Sequence, residues 1–81
     1  MTVKEAVSLL HYGTHFEIKG SYSGKIYHNT MRNKRKNIEK YYDQTVVDEP
    51  FFVNMAIDKE KQYCYPIIGI WMHDFELYEG S

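Results

Sequence analysis

The chain has 81 residues with 10 basic and 11 acidic side chains, a formal net charge of −1 and one cysteine. This length fits one domain with a small core, and a single cysteine excludes an internal disulfide. The sequence has no signal-peptide pattern and no apolar run near the ~20 residues of a membrane span, so we expect a soluble, cytoplasmic protein.

The first predicted element is a short helix near the N-terminus. Thr2 and Glu5 have the spacing of a capping box, in which each side chain satisfies a backbone amide of the first helical turn. Apolar residues then recur at helical spacing as far as Leu10, and Gly13 is a typical stop.

Two strands joined by a tight turn are predicted next. Residues 14–19 alternate between polar and apolar side chains, with Phe16 and Ile18 on one face. The glycine-flanked segment 20–24 is typical of a turn, and residues 25–30 form the returning strand.

A second, basic helix is favoured within residues 31–44. Asn33 can cap it, and Ile38 with Tyr41 or Tyr42 would form a narrow apolar stripe. A long ordered loop is the alternative for this segment.

Three more strands follow. Residues 44–48 form a short strand, Pro50 then breaks it or makes a bulge, and residues 51–58 alternate so that one face is strongly apolar. After a charged turn, residues 62–72 are almost wholly apolar, as in a strand covered on both faces, and residues 74–81 form an acidic tail.

The predicted fold is therefore α+β. It has an N-terminal helix, a curled antiparallel sheet of about five strands, and a short basic helix between strands 2 and 3. Residues 16–26 are similar to the first hairpin of an Sm-type barrel, so a small SH3- or Sm-like barrel is a second interpretation.

The charges divide between the two halves of the chain. Residues 1–42 carry eight basic and three acidic side chains, and residues 43–81 carry two basic and eight acidic ones. The halves are thus +5 and −6. Such polarity can steer a charged partner to one face or favour self-association, with a homodimer the commonest outcome.

A basic face is the first candidate binding surface, because cations neutralise phosphates and aromatic rings stack on bases. The alternative is a solvated helix face, and the sequence pI of about 6.4 is low for a nucleic-acid binder. The residues concerned are Arg32, Lys34, Arg35, Lys36, Lys40, Tyr41 and Tyr42.

An acidic, aromatic face is the second candidate. Such a surface can imitate phosphates and stacked bases and so occupy the basic groove of a nucleic-acid-handling protein. The alternative is ordinary acidic surface or a frayed tail. The residues concerned are Asp48, Glu49, Asp74, Phe75, Glu76, Tyr78 and Glu79.

We find no sequence signature of catalysis or of a bound metal or cofactor. His11 and His15 are four residues apart, but Gly13 between them ends the helix, so they do not share the helical face of a zinc motif. Cys64 lies in an apolar run and is expected to be a buried, unreactive thiol. We therefore expect a protein that is not an enzyme.

Five segments carry a resemblance to a known group of proteins: 2–5, 9–14, 16–18, 23–25 and 39–43. In these segments the chain resembles short accessory proteins of phages and conjugative elements of Gram-positive bacteria. Small genes of this kind often encode inhibitors of host defence, including anti-CRISPR proteins, or other host-takeover factors. The resemblance implies this setting and no particular target.

Three functional hypotheses follow. The leading one is a non-enzymatic binding protein that inhibits a bacterial defence protein by occlusion. The second is a nucleic-acid-binding module that acts through residues 32–42. The third is a symmetric oligomer that sequesters a nucleotide signal between its protomers.

Overall fold

A computed structural model describes residues 1–11, 13–29 and 38–79. These residues form an α+β fold, as the sequence predicts, with two short α-helices and a four-stranded sheet. In chain order the elements are α1 (Val3–Ser8), β1 (Phe16–Gly20), β2 (Ile26–Asn29), a 3₁₀ turn (Ile38–Tyr41), β3 (Val46–Asp58), β4 (Tyr63–Met72) and α2 (Phe75–Glu79).

Helix α1 begins with the predicted capping box. The Thr2 hydroxyl accepts a hydrogen bond from the Glu5 amide at 3.3 Å, and the Glu5 carboxylate accepts one from the Thr2 amide at 3.0 Å. Backbone and side-chain hydrogen bonds from Thr2 hold the pKa of Glu5 below its usual value. The helix ends at Ser8, earlier than the apolar spacing up to Leu10 predicts.

The described strands form an open, mixed sheet in the order β2-β1-β4-β3. Strand β1 runs antiparallel to β2 but parallel to β4, and β3 runs antiparallel to β4. The expectation of a wholly antiparallel sheet is therefore wrong, and the sheet does not close into a barrel. The apolar character of β4 fits its central position between β1 and β3.

The described residues form four strands rather than five, because the strands predicted at 44–48 and 51–58 are one. The β3–β4 register shifts between Val46, opposite Met72, and Phe51, opposite Ile70. Pro50 lies in this irregular stretch of an edge strand, where its missing N–H disrupts little of the ladder.

The core lies between α1 and one face of the sheet. Buried side chains from the helix, from β1, from the 3₁₀ turn and from the ends of β3 and β4 form one cluster. Its members are Val3, Ala6, Phe16, Ile18, Ile38, Val46, Ile70 and Met72.

The predicted basic helix falls partly outside the described residues. Its described part is the 3₁₀ turn, which buries Ile38. At the other end of the chain, the predicted acidic tail begins with the helix α2. Within the ranges given above, every helix is too short or too polar to cross a bilayer.

Candidate binding surfaces

Asp74 anchors the end of β4 to the turn between β1 and β2. Its carboxylate accepts hydrogen bonds from the Tyr22 amide at 2.9 Å, the Ser23 hydroxyl at 2.5 Å and the Tyr27 hydroxyl at 2.8 Å. A Cβ atom at Gly20 would overlap this carboxylate, so only glycine at this position lets the carboxylate approach the backbone so closely. Only 1% of Asp74 is exposed. This carboxylate therefore lies beneath the predicted acidic face and not on it.

The charge of Asp74 is stabilised inside this network. Burial raises the pKa of the carboxyl, but the hydrogen bonds from Ser23, Tyr27 and the Tyr22 amide lower it more, and the net pKa lies below 3.8. Burial, followed by the hydrogen bond to Asp74, raises the pKa of the Tyr27 hydroxyl above 10.0. At neutral pH the pair is thus a carboxylate with a phenol that donates to it.

Three exposed aromatic side chains meet above this anchor, and we call them the aromatic cluster: Tyr22, Phe75 and Tyr78. The Tyr22 ring lies edge-on to Phe75 at 4.9 Å between centroids and to Tyr78 at 6.0 Å. Each of the three is between 52% and 60% exposed. Because Asp74 binds the Tyr22 amide and immediately precedes α2, it holds the two parts of the cluster together.

A pocket of about 260 Å³ adjoins the aromatic cluster. Phe75 and Glu76 of α2 form one side, and the segment that leads into β3 forms the other. The remaining lining residues are Gln44, Thr45 and His73. The pocket shares Phe75 with the cluster, so an aromatic wall and an acidic side chain border the same concavity.

The other residues of the predicted acidic face are spread along one end of the sheet. Asp48 and Glu49 are exposed in the irregular stretch of β3, and Glu76 is exposed on α2. Glu79 ends α2, and its side chain lies outside the described residues. Phe75, Glu76 and Tyr78 are thus brought together, and Tyr22, absent from the predicted set, joins them.

Four members of the predicted basic face lie outside the described residues: Arg32, Lys34, Arg35 and Lys36. Of the rest, Tyr41 and Tyr42 are half-buried against the core, and the Lys40 ammonium lies 5.1 Å from the Tyr41 ring centroid. The Tyr41 ring packs edge-on against Tyr27 at 5.4 Å. The described part of this face therefore adjoins the Asp74 network.

Strand β3 carries a row of exposed apolar side chains that are not among the predicted site residues. We call this row the apolar stripe: Phe51, Val53, Met55 and Ile57. They are 41–67% exposed. Their alternation was visible in the sequence, but alternation alone does not tell whether a face is covered.

Cys64 is exposed, so the expectation of a buried thiol is wrong. It lies opposite Ile57 on β4 and hence shares the face of the apolar stripe. In the described parts of the chain, no three His, Cys, Asp or Glu side chains are grouped so that they could hold a metal ion.

The chain matches no family model, no curated protein and no solved structure. What the molecule binds is therefore inferred from its own surfaces.

Proposed function

We propose that this chain is a non-enzymatic binding protein whose aromatic cluster docks onto a basic surface of a bacterial protein and occludes it. In the setting that the sequence resemblance implies, the target is a nucleic-acid-handling defence protein in the host cytoplasm, and the chain is an anti-CRISPR-like inhibitor from a phage or mobile element.

The observation that carries this proposal is the aromatic cluster. Tyr22, Phe75 and Tyr78 present large rings to solvent in fixed mutual contact. Aromatic side chains are enriched among the residues that dominate binding energy, and rings that are already ordered lose little entropy on binding. The hydrogen bonds of Asp74 supply that order.

The charge around the cluster favours a basic partner. Glu76 is exposed beside Phe75, and Asp48 is exposed near the start of β3, three residues after Thr45 of the pocket wall. Acidic groups at the rim of an interface steer a positively charged partner and increase its association rate. A groove that holds nucleic acid is positively charged, because its Lys and Arg side chains neutralise phosphates.

The test is affinity capture from a Gram-positive bacterial lysate. The double variant Phe75→Ala/Tyr78→Ala should retain the captured protein at least about tenfold less than the wild type, since truncating a central aromatic commonly costs 2 kcal/mol or more. The matched control is Tyr63→Ala, an exposed tyrosine at the start of β4. Equal capture by both variants would contradict docking through the cluster.

A charge reversal tests the acidic rim separately. Glu76→Lys changes an exposed residue, whereas reversing Asp74 would disrupt the turn. We expect weaker capture and a smaller loss of binding at high salt, because the steering charge has changed sign.

A nucleic-acid-binding module is the second candidate. Its support is the pairing of Lys40 with the Tyr41 ring and of Lys25 with the Tyr27 ring, which places two cations and two rings along one side of the molecule. This hypothesis predicts affinity for single- or double-stranded oligonucleotides that falls steeply with salt. No mobility shift at low salt would exclude it.

A further inference from the structure

The apolar stripe continues the core face of the sheet past the part that α1 covers. Phe51 lies opposite the buried Ile70 in the β3–β4 register, so the stripe and the core share one face. Helix α1 has six residues and is about 9 Å long. Strand β3 has thirteen residues, and the longest axis of the molecule is 40 Å, so even with its irregular stretch the strand is several times longer than the helix. The helix is thus too short to cover the whole strand.

We propose that the apolar stripe is the interface of a symmetric homodimer, in which the β3–β4 hairpins of two copies pack face to face. The stripe exposes on the order of 400 Å² of apolar surface, which is the size of the largest apolar patch on a typical monomer, about 300–600 Å², and such a patch is often functional. Two stripes, with Cys64 and Pro66 at their rim, reach the roughly 1,000 Å² of total area that a specific interface needs.

Packing through the face fits this strand better than pairing through its edge. Strand β3 lies at the edge of the sheet, but the Met55 amide donates to the side-chain oxygen of Asn54 at 2.9 Å. Pro50 has no amide hydrogen to offer. Both features discourage another strand from joining the edge, and neither obstructs the face.

Exposed side chains of opposite charge, Glu49 and Lys59, lie beyond the two ends of the stripe. Glu49 lies five residues before Asn54 and Lys59 lies five residues after it. A two-fold axis that passes near Asn54 runs the two hairpins antiparallel, so Glu49 of each copy approaches Lys59 of the other. An isologous interface requires this kind of matching, in which one patch complements itself. The occupant is therefore a second copy of this chain.

Sedimentation equilibrium of the wild type should give twice the 9.7 kDa chain mass. The variant Val53→Lys/Ile57→Lys should raise the dissociation constant of the dimer at least about tenfold, because it places four cations in the apolar interface. Both residues are exposed in the monomer, so the circular dichroism spectrum should not change. The control Tyr63→Lys, next to Cys64 but on the opposite face of β4, should remain dimeric.

Two further measurements test the geometry. Maleimide should modify Cys64 more slowly in the dimer than in the lysine variant, whereas edge pairing would leave this thiol open. The single variants Glu49→Lys and Lys59→Glu should each raise the dissociation constant of the dimer several-fold. The double variant Glu49→Lys/Lys59→Glu should return it to the wild-type value.

Three results would overturn the proposal. They are a wild-type monomer at concentrations up to about 1 mM, a lysine variant that stays dimeric, and equal maleimide rates in dimer and monomer. Because the aromatic cluster lies outside the apolar stripe, failure of the dimer would leave capture by Phe75 and Tyr78 unaffected, and loss of capture would leave the dimer intact.

Discussion

The carboxylate of Asp74 joins parts of the chain that are far apart in sequence. It is 52 residues from Tyr22, whose amide it binds, and 47 residues from Tyr27, whose hydroxyl donates to it. Hydrogen bonds to an ionised group are among the stronger ones, and a buried donor left without its acceptor is costly. Asp74 is therefore a structural residue on which the aromatic cluster depends.

Replacing Asp74 by Asn tests this role at the scale of one residue. The substitution removes the negative charge and replaces one accepting oxygen by an NH₂ group, which cannot accept the hydrogen bonds that Asp74 receives. The free energy of unfolding should therefore fall by about 2–3 kcal/mol. Urea denaturation measures the change. The control Glu76→Gln alters an exposed carboxylate two residues away and should stay within about 0.5 kcal/mol of the wild type. Similar losses in both variants would contradict the assigned role.

At the scale of elements, the β3–β4 hairpin is held by a contact on the face opposite the apolar stripe. Phe52 and Gly69 are opposite each other in the register, and the Phe52 ring lies across the glycine and against Trp71 at 4.7 Å between ring centroids. The Lys19 ammonium lies 5.5 Å from the Trp71 ring centroid. Gly69 thus leaves room for the Phe52 ring of β3 to pack on Trp71 of β4, whose ring also contacts Lys19 of β1.

Gly69→Ala should disturb this contact. A Cβ atom at position 69 would overlap the Phe52 ring, which must then leave Trp71, and we expect a loss of about 1–3 kcal/mol in stability. Trp71 is the only tryptophan, so its fluorescence reports the displacement directly. In a Phe52→Ala background the same substitution should cost much less, because the ring is gone. An equal cost in both backgrounds would show that the ring is not the cause.

The local signals in the sequence predict single elements better than their partners. The capping box of Thr2 and Glu5 marks the start of α1 correctly, and alternation locates β1 and β3. The two-residue alternation of a strand does not reveal which strand lies beside it. The pairing of β1 with β4 depends on which faces the whole chain can bury. The sequence does not predict helix α2, because five residues show too little periodicity.

The candidate site is predictable only in part, because local sequence patterns do not reveal contacts between distant parts of the chain. Phe75, Glu76 and Tyr78 stand close together in sequence, so the sequence alone predicts that they share one surface. Tyr22 reaches them only through the turn that Asp74 holds, and this long-range contact leaves no local pattern.

At the scale of the whole molecule, stability should be confined to a window of pH. The pKa of Asp74 is depressed in the folded state, so its contribution is present above 3.8 and is lost as the pH falls through the folded pKa. The pKa of Tyr27 is raised, so its contribution is present below 10.0 and is lost as the pH rises through the folded pKa.

Thermal unfolding between pH 2 and pH 12 measures both limits. Asp74→Asn should flatten the acid limb of the melting-temperature profile, and Tyr27→Phe should flatten the alkaline limb. Unchanged profiles in these variants would assign the pH dependence to other groups.

The parallel pairing of β1 with β4 also has a consequence for the order in which the chain folds. The β3–β4 hairpin joins neighbours in sequence and can form early, whereas Phe16 pairs with Ile68 and must wait for it. Contacts between such distant residues close large loops, which slows folding. During synthesis the first hairpin therefore leaves the ribosome before its partner strand exists. We expect the sheet to be completed only after β4 has emerged, with the Asp74 hydrogen bonds forming as one of the last steps.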